Sequence, residues 1–533
     1  MSIDRRAFLT GALALAGSTW AAGCSVSPEA SPSSLATPRP PTSRPIPTTA
    51  AGGPAYLPFD MPSREARAAI TDRVVFGHYF FVFESVINNL PPGDWWDNFW
   101  LPPGGDEGSR NHGSYGGLTR DRKFVGVGPQ SGRKSSQQNR ANMATEIQHA
   151  IDAGCDGFAL ELLTRFQPGS RRTDQVLDML EAVRQKDDPY FWVAPMLDGT
   201  TSSTSSVDDA AAWVQQILRS GVRAWTVDGR PMLPTFAPEA APQGAGSGGN
   251  EFWASVMSTL SRQLGTECSF WPVYVRPWLE NGQAPTMDPL AYGHGRWGEC
   301  WAAPFGSGST ATDLAPLTCN DTFGKPFLGY LKKQVDRPKW SDTYDAHGTR
   351  SLASQWEGWI AAGDLCPAVQ LVTWDDFGEG TQMAHSRISG AAWADLNAYY
   401  ATWYKFGQPP EIVRDCVYLA NRRMIRGHPR NTFSSGQTEF PTLKGLNPSS
   451  DLIEARVFAT EPAVLDILVD GVVKTSVQVP AGVESVAVEA EFGVPTARLR
   501  RGSSTVASVR SPVEITPSLV SNDELYHLAS SLR

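Results

Sequence analysis

The sequence predicts an α/β fold: a TIM (β/α)8 barrel followed by a C-terminal antiparallel β-sandwich. Three observations carry this reading. Eight short β-branched or aromatic runs lie between Val74 and Asp376, and most are separated by stretches of helical period. Strands that alternate with helices run parallel. Eight such units in roughly 300 residues is the size of a barrel with insertions, with an open doubly wound sheet as the competing architecture. From Glu411 the pattern changes to period-two alternation, with a DG turn at Asp470-Gly471 that marks antiparallel hairpins.

Taken in order, the chain begins with Arg5-Arg6, an Ala- and Gly-rich apolar stretch, and small residues ahead of Cys24. Residues 1–23 read as a twin-arginine export signal ending in a lipobox, with Ala21 where Leu is more usual. The stretch is too short and too rich in Ala and Gly for an anchor helix. Cleavage before Cys24 would leave its sulfur to carry a lipid. That lipid is the sole membrane attachment expected, on a protein exported to the cell surface or beyond it. Residues 24–55 are Pro-, Ser- and Thr-rich, cannot bury enough surface to fold, and read as a tether.

Residues 56–410 are assigned to the barrel. Its strands are read at 74–81, 157–163, 191–198, 231–236, 270–276, 298–304, 325–331 and 368–376. Helical periodicity marks Asn139–Ala153, Asp174–Gln185, Asp208–Ser220, Phe252–Leu264 and Gly390–Gly407. A long insertion, 84–138, follows the first strand and so sits over the C-terminal face, where barrels bind substrate. Residues 411–533 are assigned to the sandwich. The final NDELYHLASSLR reads as a short helix capped by Asn522.

Composition narrows the chemistry. A net charge of -9 with no run of Lys and Arg argues against nucleic acid as the main partner. Eighteen Trp suit sugar faces and also large cores, and more than half are read as core. None of the cysteines beyond Cys24 has CxxC spacing, so no zinc site or dithiol chemistry is expected. Among the possible disulfides, Cys300 with Cys319 is favoured, closing a short Gly-rich loop. No HExxH, phosphate loop or dinucleotide fingerprint appears, and no cofactor is expected. The chain is read as a monomer.

Catalytic groups of a barrel come from the C-terminal ends of its strands. The polar residues there are His78, Glu161, Asp198, Arg276 and the cluster Asp375, Asp376 and Glu379 in LVTWDDFGEGT. Converging acids without metal-ligand histidines point to carboxylate acid–base chemistry. Asp376 and Glu379 would face opposite sides of a continuous strand, but Gly378 allows a turn that brings both to the barrel mouth. Such a pair could span the ~6.5–9.5 Å that leaves room for water in inverting glycoside hydrolysis. Taken alone, acids and glycines in a loop are more often a solvated turn.

The order of several motifs shifts those odds. QWEGWIAAGDLCPAVQLVTWDDFGEGT resembles the signature region of glycoside hydrolase family 71, the α-1,3-glucanases or mutanases, with its Trp-Asn-Asp-Tyr-Gly-Glu core. VVFGHYFF, AIDAGCDGFALELL and VDGRPMLPTF are similar to further segments of that family, in the same order. The resemblance spans about residues 70 to 400 and implies a barrel, a sandwich and a polysaccharide substrate. It implies an inverting mechanism on Asp376 and Glu379, with Glu379 as general acid and Asp376 as general base, the reverse order also open. It implies sugar contacts for Asp198 and His78, the latter equally readable as a core histidine. Trp374 is implied as a wall of the sugar site or simply as core. Asp375 and Glu161 both stand where the family usually has Asn, and both would border the substrate. These departures leave the reaction class standing and the exact glucan open. The alternative is a non-catalytic carbohydrate-binding surface lipoprotein on the same scaffold.

Overall fold

The computed structural model describes residues 43–46, 55–82, 120–124, 135–242, 249–275, 290–297, 325–337, 342–434, 440–444, 450–519 and 522–533. The export signal, Cys24, Arg276, Cys300, Cys319, nearly all of the tether and most of the 84–138 insertion lie outside the described residues.

Eight parallel strands close into a barrel: β1 (Val74–Tyr79), β2 (Gly157–Leu162), β3 (Trp192–Asp198), β4 (Arg230–Phe236), β5 (Ser269–Tyr274), β6 (His294–Arg296), β7 (Phe327–Leu331) and β8 (Ala368–Leu371). Each pairs with the next in sequence. The ring closes between β8 and β1, and β3 meets β4 only through Leu197–Thr235 and Asp198–Phe236. The expected barrel is therefore the observed one. The sixth strand lies at His294–Arg296, ahead of the expected 298–304, which falls outside the described residues. The eighth stops at Leu371 rather than Asp376, because the backbone then turns to hydrogen-bond both neighbours: Val372 N–H to the Leu331 carbonyl and Trp374 N–H to the His78 carbonyl.

Six long crossover helices are described: α1 (Ser136–Asp152), α2 (Arg171–Lys186), α3 (Val207–Leu218), α4 (Gly249–Leu264), α5 (Arg350–Ala362) and α6 (Ala392–Phe406). Side-chain caps start three of them. Ser135 forms a reciprocal capping box with Gln138, while Ser170 and Ser206 each accept an N–H of the first turn. The barrel interior is filled by stacked indoles, with Trp192, Trp225 and Trp271 4.9 and 5.8 Å apart in sequence. Most described tryptophans are buried in this way, with Trp297 and Trp403 the exceptions.

The C-terminal strands β9 (Cys416–Asn421), β10 (Leu452–Ala459), β11 (Ala463–Val469), β12 (Val472–Val479), β13 (Gly482–Glu489), β14 (Pro495–Arg501), β15 (Ser504–Arg510) and β16 (His527–Ser530) form two four-stranded antiparallel sheets, ordered β13-β10-β9-β16 and β12-β11-β14-β15. Val417, Leu419, Val457, Leu465, Ile467 and Leu499 fill the space between them. The turn between β11 and β12 places Asp470 at φ 49 and Gly471 at φ 80, as a DG hairpin turn requires. The terminal segment is not a helix. It pairs antiparallel with the free side of β9, and Tyr526 and Leu528 bury into the seam with the barrel, which outweighs its local helical pattern. No helix follows Asn522, whose amide donates to Glu524. Cys155, Cys268, Cys366 and Cys416 are buried free thiols.

Candidate active site

Four polar side chains from four adjacent staves form the floor of the barrel mouth: Gln370 on β8, His78 on β1, Glu161 on β2 and Asp198 on β3. All are buried. Gln370 Nε2 faces His78 Nδ1 at 2.8 Å, and an amide nitrogen can only donate. His78 therefore keeps its proton on Nε2 and donates it to Glu161 Oε2 at 2.9 Å. Burial holds the imidazole down to about 4, so it is neutral at pH 7. Asp198 Oδ1 accepts the backbone and hydroxyl protons of Thr200, each at 2.7 Å. Burial, then the Glu161 charge, pushes Asp198 up to about 8. Glu161 also rises to about 8, through burial and then the charges of Asp375 and Glu379.

The loop after β8 brings its acids to this floor. Asp376 makes the turn itself. Its Oδ1 accepts Gly378 N–H at 2.8 Å and Glu379 N–H at 3.0 Å, an Asx-type turn, while its own N–H donates to Thr373 Oγ1 at 2.6 Å. The left-handed residue is Gly380, at φ +70, rather than Gly378. Asp336 N–H holds the Glu379 carbonyl, and Lys333 Nζ holds that of Gly380. Burial, reinforced by the Glu379 charge, raises Asp376 well above the ordinary carboxylate range. Glu379 sits between two cations, with Lys332 Nζ at 4.0 Å and Arg337 Nη1 at 3.9 Å. Its buried Oε2 accepts no hydrogen bond among the described residues.

A family model, glycosyl hydrolase family 71, matches residues 132–527. The chain belongs to this family. It is 22% identical over 406 residues to a Schizosaccharomyces pombe protein named ascus wall endo-1,3-alpha-glucanase, covering 70% of this chain and 89% of that one. A second protein of that organism, named glucan endo-1,3-alpha-glucosidase, is 22% identical over 402 residues, covering 71% and 88%. Among solved structures, an endo-alpha-mannosidase from Bacteroides thetaiotaomicron covers 63% of this chain and 98% of its own length, at 12% identity and a TM-score of 0.42.

In this family 71 glycoside hydrolase, His78, Glu161, Asp198, Asp376 and Glu379 converge on the barrel mouth. Two neighbours in the signature lie deeper. Asp375 is fully buried, accepting Phe80 N–H at 2.7 Å and pairing with Lys123 Nζ at 2.8 Å. Trp374 is fully buried against Phe158. Trp297, just past β6, is a functional candidate absent from the sequence reading. It is partly exposed, 5.0 Å from the His78 ring and 4.6 Å from Phe236, with Lys332 Nζ 4.9 Å over its ring. Its sequence signal is its place just beyond a strand, and a three-residue strand of His, Gly and Arg conceals that signal. Gln370 carries a sequence signal of its own, a lone amide in an apolar strand. A separate cleft of about 390 Å³, lined by Arg387, Ser389, Arg510 and Arg533 between the start of α6 and the sandwich, contains none of these acids.

Proposed function

We propose that this chain is an exported glycosidase that hydrolyses an α-glucan, α-1,3-glucan favoured, with inversion at the anomeric carbon. The observation that carries the reading is the contrast within one turn: a carboxyl that burial pushes well above the ordinary carboxylate range, three residues from a carboxylate that faces two cations and has one oxygen that accepts no hydrogen bond among the described residues. This contrast favours Asp376 as general acid and Glu379 as general base, the second of the two orders left open by the sequence. Asp376 Oδ1 is tied to backbone N–H groups, so Oδ2 is the oxygen that delivers a proton to the leaving glycosidic oxygen. The Glu379 carboxylate takes a proton from water as that water attacks the opposite face of the sugar. Trp297 offers an apolar face for a pyranose ring.

The names of the two S. pombe relatives support the choice of α-1,3-glucan. Arg5-Arg6, the small residues before Cys24 and the tether support twin-arginine export and a lipid on Cys24. The enzyme acts as a monomer, with catalysis in residues 56–410 and the sandwich in 411–533. The test is release of reducing sugars from α-1,3-glucan by the parent and by Asp376→Asn and Glu379→Gln. Each substitution lowers kcat by about 10²–10⁴-fold while polysaccharide binding persists. Full activity in either variant removes that residue from the chemistry. Binding without turnover in the parent makes the chain a carbohydrate-binding lipoprotein instead.

A further inference from the structure

We infer that Lys332, its ammonium seated over the ring of Trp297, is a positioning residue for the general base: it supplies a counter-charge to the Glu379 carboxylate from a distance that leaves the carboxylate able to take a proton from water. The inference rests on the reading of Glu379 as that base. In this role Lys332 acts through Glu379 rather than on the sugar or the water.

The main chain fixes the root of this side chain. Lys332 follows directly on β7, at the C-terminal end of the barrel, and is buried. Its N–H donates to Gln355 Oε1 at 3.0 Å. Its carbonyl accepts Gln355 Nε2 at 2.8 Å and Ser351 Oγ at 3.0 Å, so both backbone groups are tied to α5. From that root the ammonium reaches 4.9 Å over the Trp297 ring and 4.0 Å from Glu379 Oε2. The negative face of the indole attracts the ammonium. At 4.0 Å the cation is beyond hydrogen-bonding reach of the carboxylate, yet close enough to favour its charged form. A direct ammonium hydrogen bond would instead occupy lone pairs that a base needs.

The second cation at Glu379 is placed differently. Arg337 Nη1 lies 3.9 Å from Oε1, but its Nε and Nη2 donate to Asp342 at 2.7 and 2.6 Å, and its guanidinium lies over Tyr344. Its charge is therefore divided between two carboxylates, and Asp342 itself opposes that of Glu379. The remaining ionisable groups around Glu379 are Asp376 in its own loop, His78 on β1 and Glu161 on β2. His78 is neutral, and Asp376 and Glu161 are acids, so none of the three supplies a positive charge at pH 7. Removing the Lys332 charge leaves Glu379 with the divided charge of Arg337. Trp297 and Lys332 come together because β6 and β7 are neighbouring staves.

The experiment follows kcat/KM on α-1,3-gluco-oligosaccharides between about pH 3 and 9 for the parent, Lys332→Met, Lys332→Arg, Glu379→Gln and the double variant of Lys332→Met with Glu379→Gln. Lys332→Met keeps the stem and removes the charge. Its acidic limb moves up by about one pH unit, a tenfold loss on the limb itself, and Lys332→Arg returns the limb to the parent position. A lysine that acts through Glu379 has nothing to act on in Glu379→Gln, so adding Lys332→Met there changes the residual kcat less than about twofold. A lysine that only fills space would leave the limb in place and add its full loss to that of Glu379→Gln. An unmoved limb in Lys332→Met, a Lys332→Arg limb displaced as far as that of Lys332→Met, or additive losses in the double variant overturns the inference. Should Lys332→Met not fold, Lys332→Gln, which keeps a polar tip beside Trp297, is read by the same outcomes. A fully active Glu379→Gln sinks the reading of Glu379 as base. An inactive Glu379→Gln beside a Lys332→Met limb at the parent position sinks this inference alone.

Discussion

Replacing Lys123 by Met tests how the signature loop is anchored. Lys123 is buried, with its ammonium 2.8 Å from Asp375 Oδ2, 3.2 and 3.3 Å from the two Glu146 oxygens, and 5.2 Å from the Tyr79 ring. Burial works against that charge, yet Asp375 and Glu146 carry its proton affinity above the usual lysine value. Burial pushes Asp375 up to about 6, so the pair is still ionic at neutral pH. Met fills most of the lysine stem's volume, so the cavity contribution is small. The loss is electrostatic: two carboxylates, neither solvated, left facing each other. Removing one partner of such a buried pair costs about 3–5 kcal/mol. Adding Asp375→Asn to Lys123→Met keeps an acceptor for Phe80 N–H and removes one stranded charge. The double variant should recover about 2 kcal/mol, a coupling that neighbouring charges in one network can show. Urea unfolding followed by tryptophan fluorescence reads both values. A Lys123→Met variant within about 1 kcal/mol of the parent, the scale of a surface bridge, would refute the reasoning.

Three other outcomes follow from the same geometry. Trp297→Ala should raise KM roughly tenfold with a smaller change in kcat, the pattern of a lost platform; an unchanged KM removes Trp297 from the sugar site. Gly380→Ala forces an L-residue to φ +70 and puts its Cβ 2.5 Å from Leu525 Cδ2, so it should cost about 1–2 kcal/mol and lower kcat by shifting Glu379. Adding Leu525→Ala should restore part of kcat but not the backbone cost, and a parent-like single variant would show that the C-terminal segment does not brace the loop. Stability should fall at alkaline pH. Glu161 and Asp198 at about 8 and Asp336 at about 7 are raised above their unfolded values of 4.5 and 3.8. Their contribution is fully present below the unfolded carboxylate range and is lost as pH rises through about 7 to 8, at up to roughly 1.4 kcal/mol per pH unit per retained proton. A melting temperature that rises across that window counts against the buried protons.

The barrel was legible because its strands are apolar runs bounded by helices whose caps are written in the sequence, as at Ser135, Ser170 and Ser206. His294–Arg296 was not legible, because a three-residue strand of His, Gly and Arg has neither length nor β-branched content. The terminal segment carried a helical pattern, and only the open side of β9, a tertiary fact, turns it into a strand. Within the site, strand-end placement located His78, Glu161 and Asp198. The hydrogen bonds from Gln370 to His78 and from His78 to Glu161 depend on which staves are neighbours, which requires the closed ring. Asp375 read as a substrate neighbour from its place in the signature. Its partner Lys123 lies 252 residues away in sequence, beyond any local pattern. The turn at Asp376 was expected from Gly378, whereas the aspartate's own carboxylate builds it.

The most direct test of the account is the anomeric form of the first product released from α-1,3-glucan, read by ¹H NMR before mutarotation. Two carboxyls acting on opposite faces of the sugar predict new β-anomeric reducing ends at early times, abolished in Asp376→Asn and Glu379→Gln. New α-anomeric ends, or none from the unmodified enzyme, would contradict it.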